Sequence, residues 1–350
     1  MRRMDTTAGQ PVLVTGGSGF IGGRLVRRLN EHRCRVSCLV RPGSRTDDLR
    51  SAGAMLVTGD VTDRESAQRA LVESQARTVF HLAGLVRARS WEEFARVNAG
   101  GVENVAAACA ASANPPVLVV VSSLAAAGPS APDRPRVEGD PPAPVSNYGR
   151  SKLAGERAAA GYAGLVPITI VRPPIVFGPG DRAVLEMFRL VSRWGVHVVP
   201  GLAGRDRRLS LIHVDDLVEG LLLAAEKGER LRVGSSPGQG VYFIAGEEHP
   251  TFEQFGQAIA NALVRRPPAV LRAPGRLLRL AGVGGDVMAR IRNRPTWINS
   301  DKVSEALASS WTCCSEKARE QLGWPTAFPP ATLAERLHET ARWYRQSGWL

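Results

Sequence analysis

Short apolar runs alternate with amphipathic stretches through the first half of the chain. Val12-Leu13-Val14, Val36 to Val40, Met55-Leu56-Val57, Thr78 to Leu82, Val117 to Val121 and Ile168 to Val171 each predict a strand. An amphipathic helix through Leu29 follows the first strand, and a long helix from about Trp91 to Ser112 precedes the fifth. Strands apolar at nearly every position bury both faces, and helical crossovers make their pairing parallel. The pattern therefore predicts an α/β fold, a doubly wound parallel sheet covered by helices on both sides. Beyond Val171 the rhythm breaks. Leu209 to Ile212 and Tyr242 to Ala245 predict two further strands extending the sheet, with helices at about 183–194, 215–226, 252–264 and 331–345. That remainder predicts a smaller, mostly helical lobe. The proline-rich stretch 128–144 predicts a loop directly before a helix carrying Tyr148.

At 350 residues and 44% hydrophobic content, the chain can bury one large core or two smaller ones. Charge changes the picture more. The net charge is +12, the pI is near 10.3, and only 4 of the 45 basic residues are lysine. The arginines are scattered and no nucleic-acid motif accompanies them. An anionic cofactor or lipid surface is therefore expected rather than nucleic acid. Cys34, Cys38, Cys109, Cys313 and Cys314 show no metal-ligand spacing, which predicts free thiols in a reducing compartment and no metal site. No apolar signal region follows the N-terminal arginines, and no run reaches ~18 apolar residues. The expectation is a soluble, cytoplasmic protein.

Gly16, Gly17, Ser18, Gly19, Phe20, Ile21 and Gly22 follow the first strand and open the first helix. Glycines there allow a tight turn and let backbone approach a pyrophosphate, which the helix N-terminus then attracts. This position predicts a dinucleotide site. An acid at the end of the second strand would favour NAD; this chain has Arg41, helped by Arg45, which favours NADP, with NAD as the alternative. Asp60 and Val61 are placed to meet the adenine edge, and Leu82, Ala83 and Gly84 to pass under the nicotinamide ribose. The expected division is a dinucleotide-binding domain over 11–175, with returning segments at about 205–226 and 239–246. A substrate lobe from 176–204 and 247–350 completes it.

Tyr148 and Lys152 are four residues apart, one helical turn, so they share a face. A cation beside a phenol favours the phenolate and brings proton exchange closer to neutrality. That is the requirement for moving a proton to or from a carbonyl oxygen. The alternative is a snorkelling surface lysine beside a half-buried tyrosine.

Taken together, TGGSGFIG at 15–22, GDVTD at 59–63, HLAG at 81–84, Asn98 in VNAGGVENV, SSLAAAG at 122–128, YGRSK at 148–152, RPPIVFGPGD at 172–181 and IHVDD at 212–216 make the chain resemble the extended short-chain dehydrogenase/reductase family. The resemblance covers about residues 11–350. It implies a Rossmann fold and assigns Tyr148 as acid/base, Lys152 as the residue lowering its pKa and binding the ribose, and Ser123 as the holder of the substrate oxygen. It also implies that Asn98 orders the helix and a water near the lysine, that Pro174 adjoins the cofactor, and that the protein is a homodimer through helices matching 91–112 and 147–162.

Departures narrow the choice. Family dehydratases carry Asp-Glu immediately after the serine; Leu124-Ala125 stand here. Nucleotide-sugar enzymes usually place Asn where Ile175 stands and Arg where Leu209 stands, so an apolar substrate is expected. SSLAAAGP, RPPIVFGPGD and Arg41 look closer to the hydroxysteroid dehydrogenase and dihydroflavonol reductase branches. Substrate contacts are expected from Leu85, Arg87, Trp91, Ser123, Ile175, Phe177 and Phe188, whereas His197 and His213 read as structural. The segment 265–294 mixes apolar residues with eight arginines. It reads as an ordinary helix with a solvated basic face, as a basic cap making peripheral membrane contact, or as a protein-partner surface. The expected activity interconverts a secondary alcohol and a ketone. The alternatives are a nucleotide-sugar 4-epimerase holding NAD tightly and a non-catalytic NADP-sensing protein on the same fold.

Overall fold

Eleven strands occur among the described residues of the computed structural model: β1 Pro11–Thr15, β2 Arg35–Val40, β3 Met55–Thr58, β4 Thr78–His81, β5 Val117–Val121, β6 Ile168–Arg172, β7 Ile175–Phe177, β8 Val196–Pro200, β9 Leu211–His213, β10 Val241–Phe243 and β11 Ala269–Ala273. The structure describes residues 9–201, 207–234, 236–294, 296, 298–325 and 330–350. Seven strands form one parallel sheet in the order β10-β6-β5-β4-β1-β2-β3. Alternate residues of β1 serve opposite cores. Val12 and Val14 pack with Leu25, Leu29, Leu217 and Leu221 on one face, and Leu13 packs with Ala70, Val105 and Ala106 on the other. The fold is the Rossmann-type α/β arrangement that the apolar rhythm predicts. Strand order reverses between β1 and β4, which opens a crevice at their carboxyl ends.

Three details depart from the sequence reading. β10 joins the sheet beside β6, but β9 pairs with β7 in a separate two-stranded ribbon. Pro173-Pro174 follow β6 and, lacking N–H donors, cannot continue its ladder. The predicted 91–112 helix is helical throughout 91–110 but contains a π-helical segment over Ala95–Gly100. The C-terminal part also holds a β8–β11 ribbon and helices Gly275–Arg292, Ser300–Leu307 and Glu316–Leu322. The expected boundary at 204–205 lies outside the described residues. All five cysteines are free thiols, and among the described residues no helix is long and apolar enough to cross a membrane.

A distinct apolar cluster holds the C-terminal part together. It contains Phe177, Phe188, Leu209, Phe255, Ile259, Leu337 and Tyr344. The Phe188 and Tyr344 rings meet edge to face at 5.2 Å, and the Tyr344 hydroxyl donates to the Asp181 carbonyl at 2.9 Å. Phe188→Ala should lower stability by about 3–5 kcal/mol in urea unfolding at neutral pH. A loss under about 1 kcal/mol would show that the ring is not buried.

Candidate active site

The turn after β1 is built by exclusion. Gly16 has φ +76°, and a Cβ there would lie 2.6 Å from the Ala83 nitrogen; one on Gly22 would lie 2.1 Å from the Gly16 carbonyl oxygen. The helix Phe20–Glu31 starts at Gly19 with neither a capping side chain nor an acid in its first turn. Its leading N–H groups and positive end are left for an anion. Ser18 and Gly19 are exposed at this opening, whereas Ile21 packs against the core. Close backbone, no side chains and an open helix end are what a pyrophosphate requires, so these residues fit NAD(P).

The neighbouring edge continues the cradle. Arg41 and Arg45 are exposed just beyond β2, and neither forms an ion pair among the described residues. The Asp60 carboxylate closes a turn by accepting from the Thr62 nitrogen at 2.8 Å and its hydroxyl at 2.9 Å. Val61 is buried, and its carbonyl accepts from the Asn104 amide. After β4, the Leu82 nitrogen donates to the Thr15 carbonyl, and Ala83 and Gly84 lead out of the sheet. His81 bonds the Thr15 hydroxyl at 2.8 Å; burial and the nearby Lys152 push it down to about 3, so its ring is neutral.

The helix Asn147–Ala160 carries Tyr148 and Lys152. Ser146 caps it, accepting from the Gly149 nitrogen at 2.9 Å. Ser123 is near enough to the Tyr148 phenol to draw it down, and the Tyr148 ring lies 6.2 Å from Phe94. Ser122 points elsewhere: its hydroxyl donates to Glu156, which also holds Arg172 at 2.6 and 2.8 Å in a buried ion pair. Of the two adjacent serines, the structure brings Ser123 to the tyrosine. Asn98 is buried in the π-helical segment. It accepts from the Leu85 nitrogen at 2.7 Å and donates to the Leu85 carbonyl and to the Ser151 hydroxyl. That side chain joins the loop after β4 to the Tyr148 helix.

The electrostatics differ from the sequence expectation. Burial pushes the Tyr148 phenol up to about 12; the Ser123 hydrogen bond opposes this and Glu305 reinforces it. Lys152 donates to the Val121 carbonyl at 2.7 Å, and burial pulls its ammonium down to about 8 against the pull of Glu156. In the chain by itself, desolvation outweighs the effect that spacing suggests.

Several expected substrate contacts lie elsewhere. Phe177 and Phe188 are enclosed in the second apolar cluster, Phe177 against the His213 ring at 5.5 Å. Leu209 belongs to the same core, so it adds no apolar lining to a pocket. Trp91 and Ile175 are exposed, Leu85 and Arg87 are half-buried, and Pro174 is half-buried between β6 and β7. Conversely, the helix Ser300–Leu307 reaches the site unannounced. Asp301 accepts from the Asn147 and Tyr148 nitrogens, Glu305 accepts from the Ser146 hydroxyl, and the Lys302 ammonium sits 4.9 Å above the Tyr148 ring. The Asn299 cap before this helix was its only local signal, and nothing local tied it to a residue about 150 positions earlier.

A family model described as "NAD dependent epimerase/dehydratase family" matches residues 12–236. The chain is 32% identical to the ceramide reductase of Caulobacter vibrioides over 99% of this chain and 98% of the relative. It is 30% identical to the 3-beta-hydroxysteroid dehydrogenase of Mycolicibacterium neoaurum over 78% and 75%. The solved UDP-glucose 4-epimerase of Thermotoga maritima shares the fold at TM-score 0.75 and 23% identity, covering 96% of this chain and 99% of that one. The protein therefore belongs to the NAD-dependent epimerase/dehydratase family, within the extended short-chain dehydrogenase/reductases, and is an NAD(P)-dependent oxidoreductase.

Proposed function

We propose that the chain interconverts a ketone and a secondary alcohol on a lipophilic small molecule, with NADP(H) preferred over NAD(H). The observation that supports this reading is Ser123 acting on the Tyr148 phenol, with Lys152 one helical turn along and facing the loop after β4 near the glycine-rich turn. When bound, the nicotinamide cofactor supplies or takes up the hydride. In the reducing direction Ser123 orients the substrate oxygen and Tyr148 gives its phenolic proton to that oxygen. A phenol kept protonated by burial suits this role. Lys152, brought near neutrality by burial, exchanges protons beside the phenol and faces Gly84 at the end of the β4 loop. Asn98 holds Leu85 and Ser151 in place around it.

The substrate class rests on two supports. Val86, on the loop after β4, Trp91, which opens the next helix, and Ile175, which opens β7, are exposed apolar residues just beyond the carboxyl ends of β4 and β6. The relatives named ceramide reductase and 3-beta-hydroxysteroid dehydrogenase bear the names of lipids. A long-chain ketone such as the 3-oxo form of an N-acyl sphingoid base is the first compound to try. NADPH consumption with it, and none with UDP-glucose or UDP-galactose, is the expected result. Interconversion of the two UDP-sugars with no ketone turnover would sink the reading in favour of the epimerase.

The two serines separate catalysis from architecture. Ser123→Ala should cut kcat by about 10²-fold, whereas Ser122→Ala should leave kcat within about twofold and lower stability by about 1–3 kcal/mol. Equal losses of kcat from both would contradict the assignment. Tyr148→Phe should reduce turnover by about 10²–10⁴-fold.

pH dependence follows from the raised phenol. Ketone reduction should stay flat from about pH 6 to 9, because the acid form persists, while alcohol oxidation keeps rising to at least about pH 10. An oxidation plateau below pH 8 would contradict a desolvated, protonated Tyr148. For the cofactor, Arg41→Ala should raise KM for NADPH about tenfold and leave KM for NADH nearly unchanged. Equal effects on both cofactors would remove Arg41 from 2′-phosphate recognition.

A further inference from the structure

The helix Gly275–Arg292 faces the wrong way for a surface helix of a soluble protein. Its two buried residues are Gly282 and Ala289. The inward side is closely fitted: a Cβ on Gly282 would meet Ser300 and Val303 at 3.1 Å, and one on Gly285 would strike the Ile298 carbonyl oxygen at 1.8 Å. The large residues point out. Leu280 is 70% exposed and Ile291 74%, and Leu277, Val283 and Val287 are exposed as well. At about 100° per residue, Leu280, Val287 and Ile291 stand opposite the buried glycine and alanine, forming one apolar stripe along about 17 Å of helix.

Charge frames that stripe. Arg276, Arg279 and Arg290 lie to one side and Arg292 to the other, and none of them forms an ion pair among the described residues. The helix's one acid, Asp286, turns inward and accepts from the Ser300 nitrogen at 3.4 Å. An apolar ridge between arginines whose long stems can reach outward matches a lipid interface with anionic headgroups. A second copy fits poorly, because pairing this face with itself would oppose two rows of arginines with no acid between them.

We infer that Gly275–Arg292 docks the protein peripherally onto an anionic phospholipid bilayer, with Leu277, Leu280, Val287 and Ile291 inserted among the acyl chains and the flanking arginines on the headgroups. The docked face is tied to the site. Arg89, on the loop after β4, donates to Asn293 at the helix's end, and Ser300–Leu307 packs beneath it while Asp301 caps the Tyr148 helix. The inference goes beyond the hydride-transfer reading and stands without it, since docking is measured without turnover.

The test is flotation of the full-length protein with phosphatidylcholine vesicles, and with vesicles in which about a third of the lipid is phosphatidylglycerol. Wild type should float with the anionic vesicles, less at high salt. The exposed-site variant Leu280→Asp/Ile291→Asp should bind at least about tenfold more weakly with an unchanged melting temperature. Arg276→Glu/Arg279→Glu should lose the preference for anionic lipid. Tyr148→Phe should float like wild type, which separates docking from catalysis. Failure of wild type to float, or equal flotation of Leu280→Asp/Ile291→Asp, would overturn the inference. So would a dimer mass by light scattering that only Leu280→Asp/Ile291→Asp loses, which would assign the face to a second copy.

Discussion

The buried ion pair between Glu156 and Arg172 is the constraint on which the arrangement of the site depends. Arg172 ends β6, Ser122 follows β5, and Glu156 lies on the Tyr148 helix; all three meet through one carboxylate. Two charges this deep inside are tolerable only when their hydrogen-bonding capacity is filled, and removing one partner of such a pair costs about 3–5 kcal/mol. The pair therefore locks the helix in rotation and register against the sheet. One turn back from Glu156, Lys152 reaches the Val121 carbonyl; another turn back, Tyr148 meets Ser123. The position of the phenol follows from a salt bridge it does not touch.

Burial then decides the protonation states. The spacing of Tyr148 and Lys152 argues for a lowered phenol, but in the folded chain both groups are desolvated, which disfavours the charged form of each. Tyrosine moves up to about 12 and lysine down to about 8, so their ranges separate and both groups tend toward their neutral forms. A neutral phenol thus stands one helical turn from an ammonium that exchanges near pH 8. The contribution of the Ser300–Leu307 helix is of the same kind. Glu305 presses the phenol further up, while Lys302 over its ring places a cation where the helix would otherwise open to solvent.

Much of this was legible along the chain, and the unread parts share a cause. The glycine turn, the serine pair and the Tyr148–Lys152 face are local patterns, each complete within a few residues and one element. The resemblance already chose Ser123 over Ser122; what the chain did not show was the contact that holds Ser122 away, Glu156 across 34 residues. Phe177 and Phe188 were expected near the substrate because they open the second lobe, and Leu209 because it stands where nucleotide-sugar enzymes hold an arginine; the C-terminal part, folding over them, turned them into core. The π-helical turn around Asn98 has no compositional signature, and the bonds Asn98 makes there reach Leu85 and Ser151, 13 and 53 residues away. The helix Gly275–Arg292 was readable as amphipathic, but the direction of its apolar side was not. Small residues decided it, because only glycine and alanine let the backbone approach Ile298 and Ser300.

The central claim is that burial, enforced by the Glu156–Arg172 lock, keeps the Tyr148 phenol protonated beside Ser123. The most direct measurement is a pH titration of the protein labelled with ¹³C at the tyrosine Cζ, with Tyr148 assigned by the signal missing in Tyr148→Phe. The account predicts that this signal stays at the phenol position to at least about pH 10 in the cofactor-free protein. A phenolate signal from Tyr148 growing in near pH 7 would contradict it.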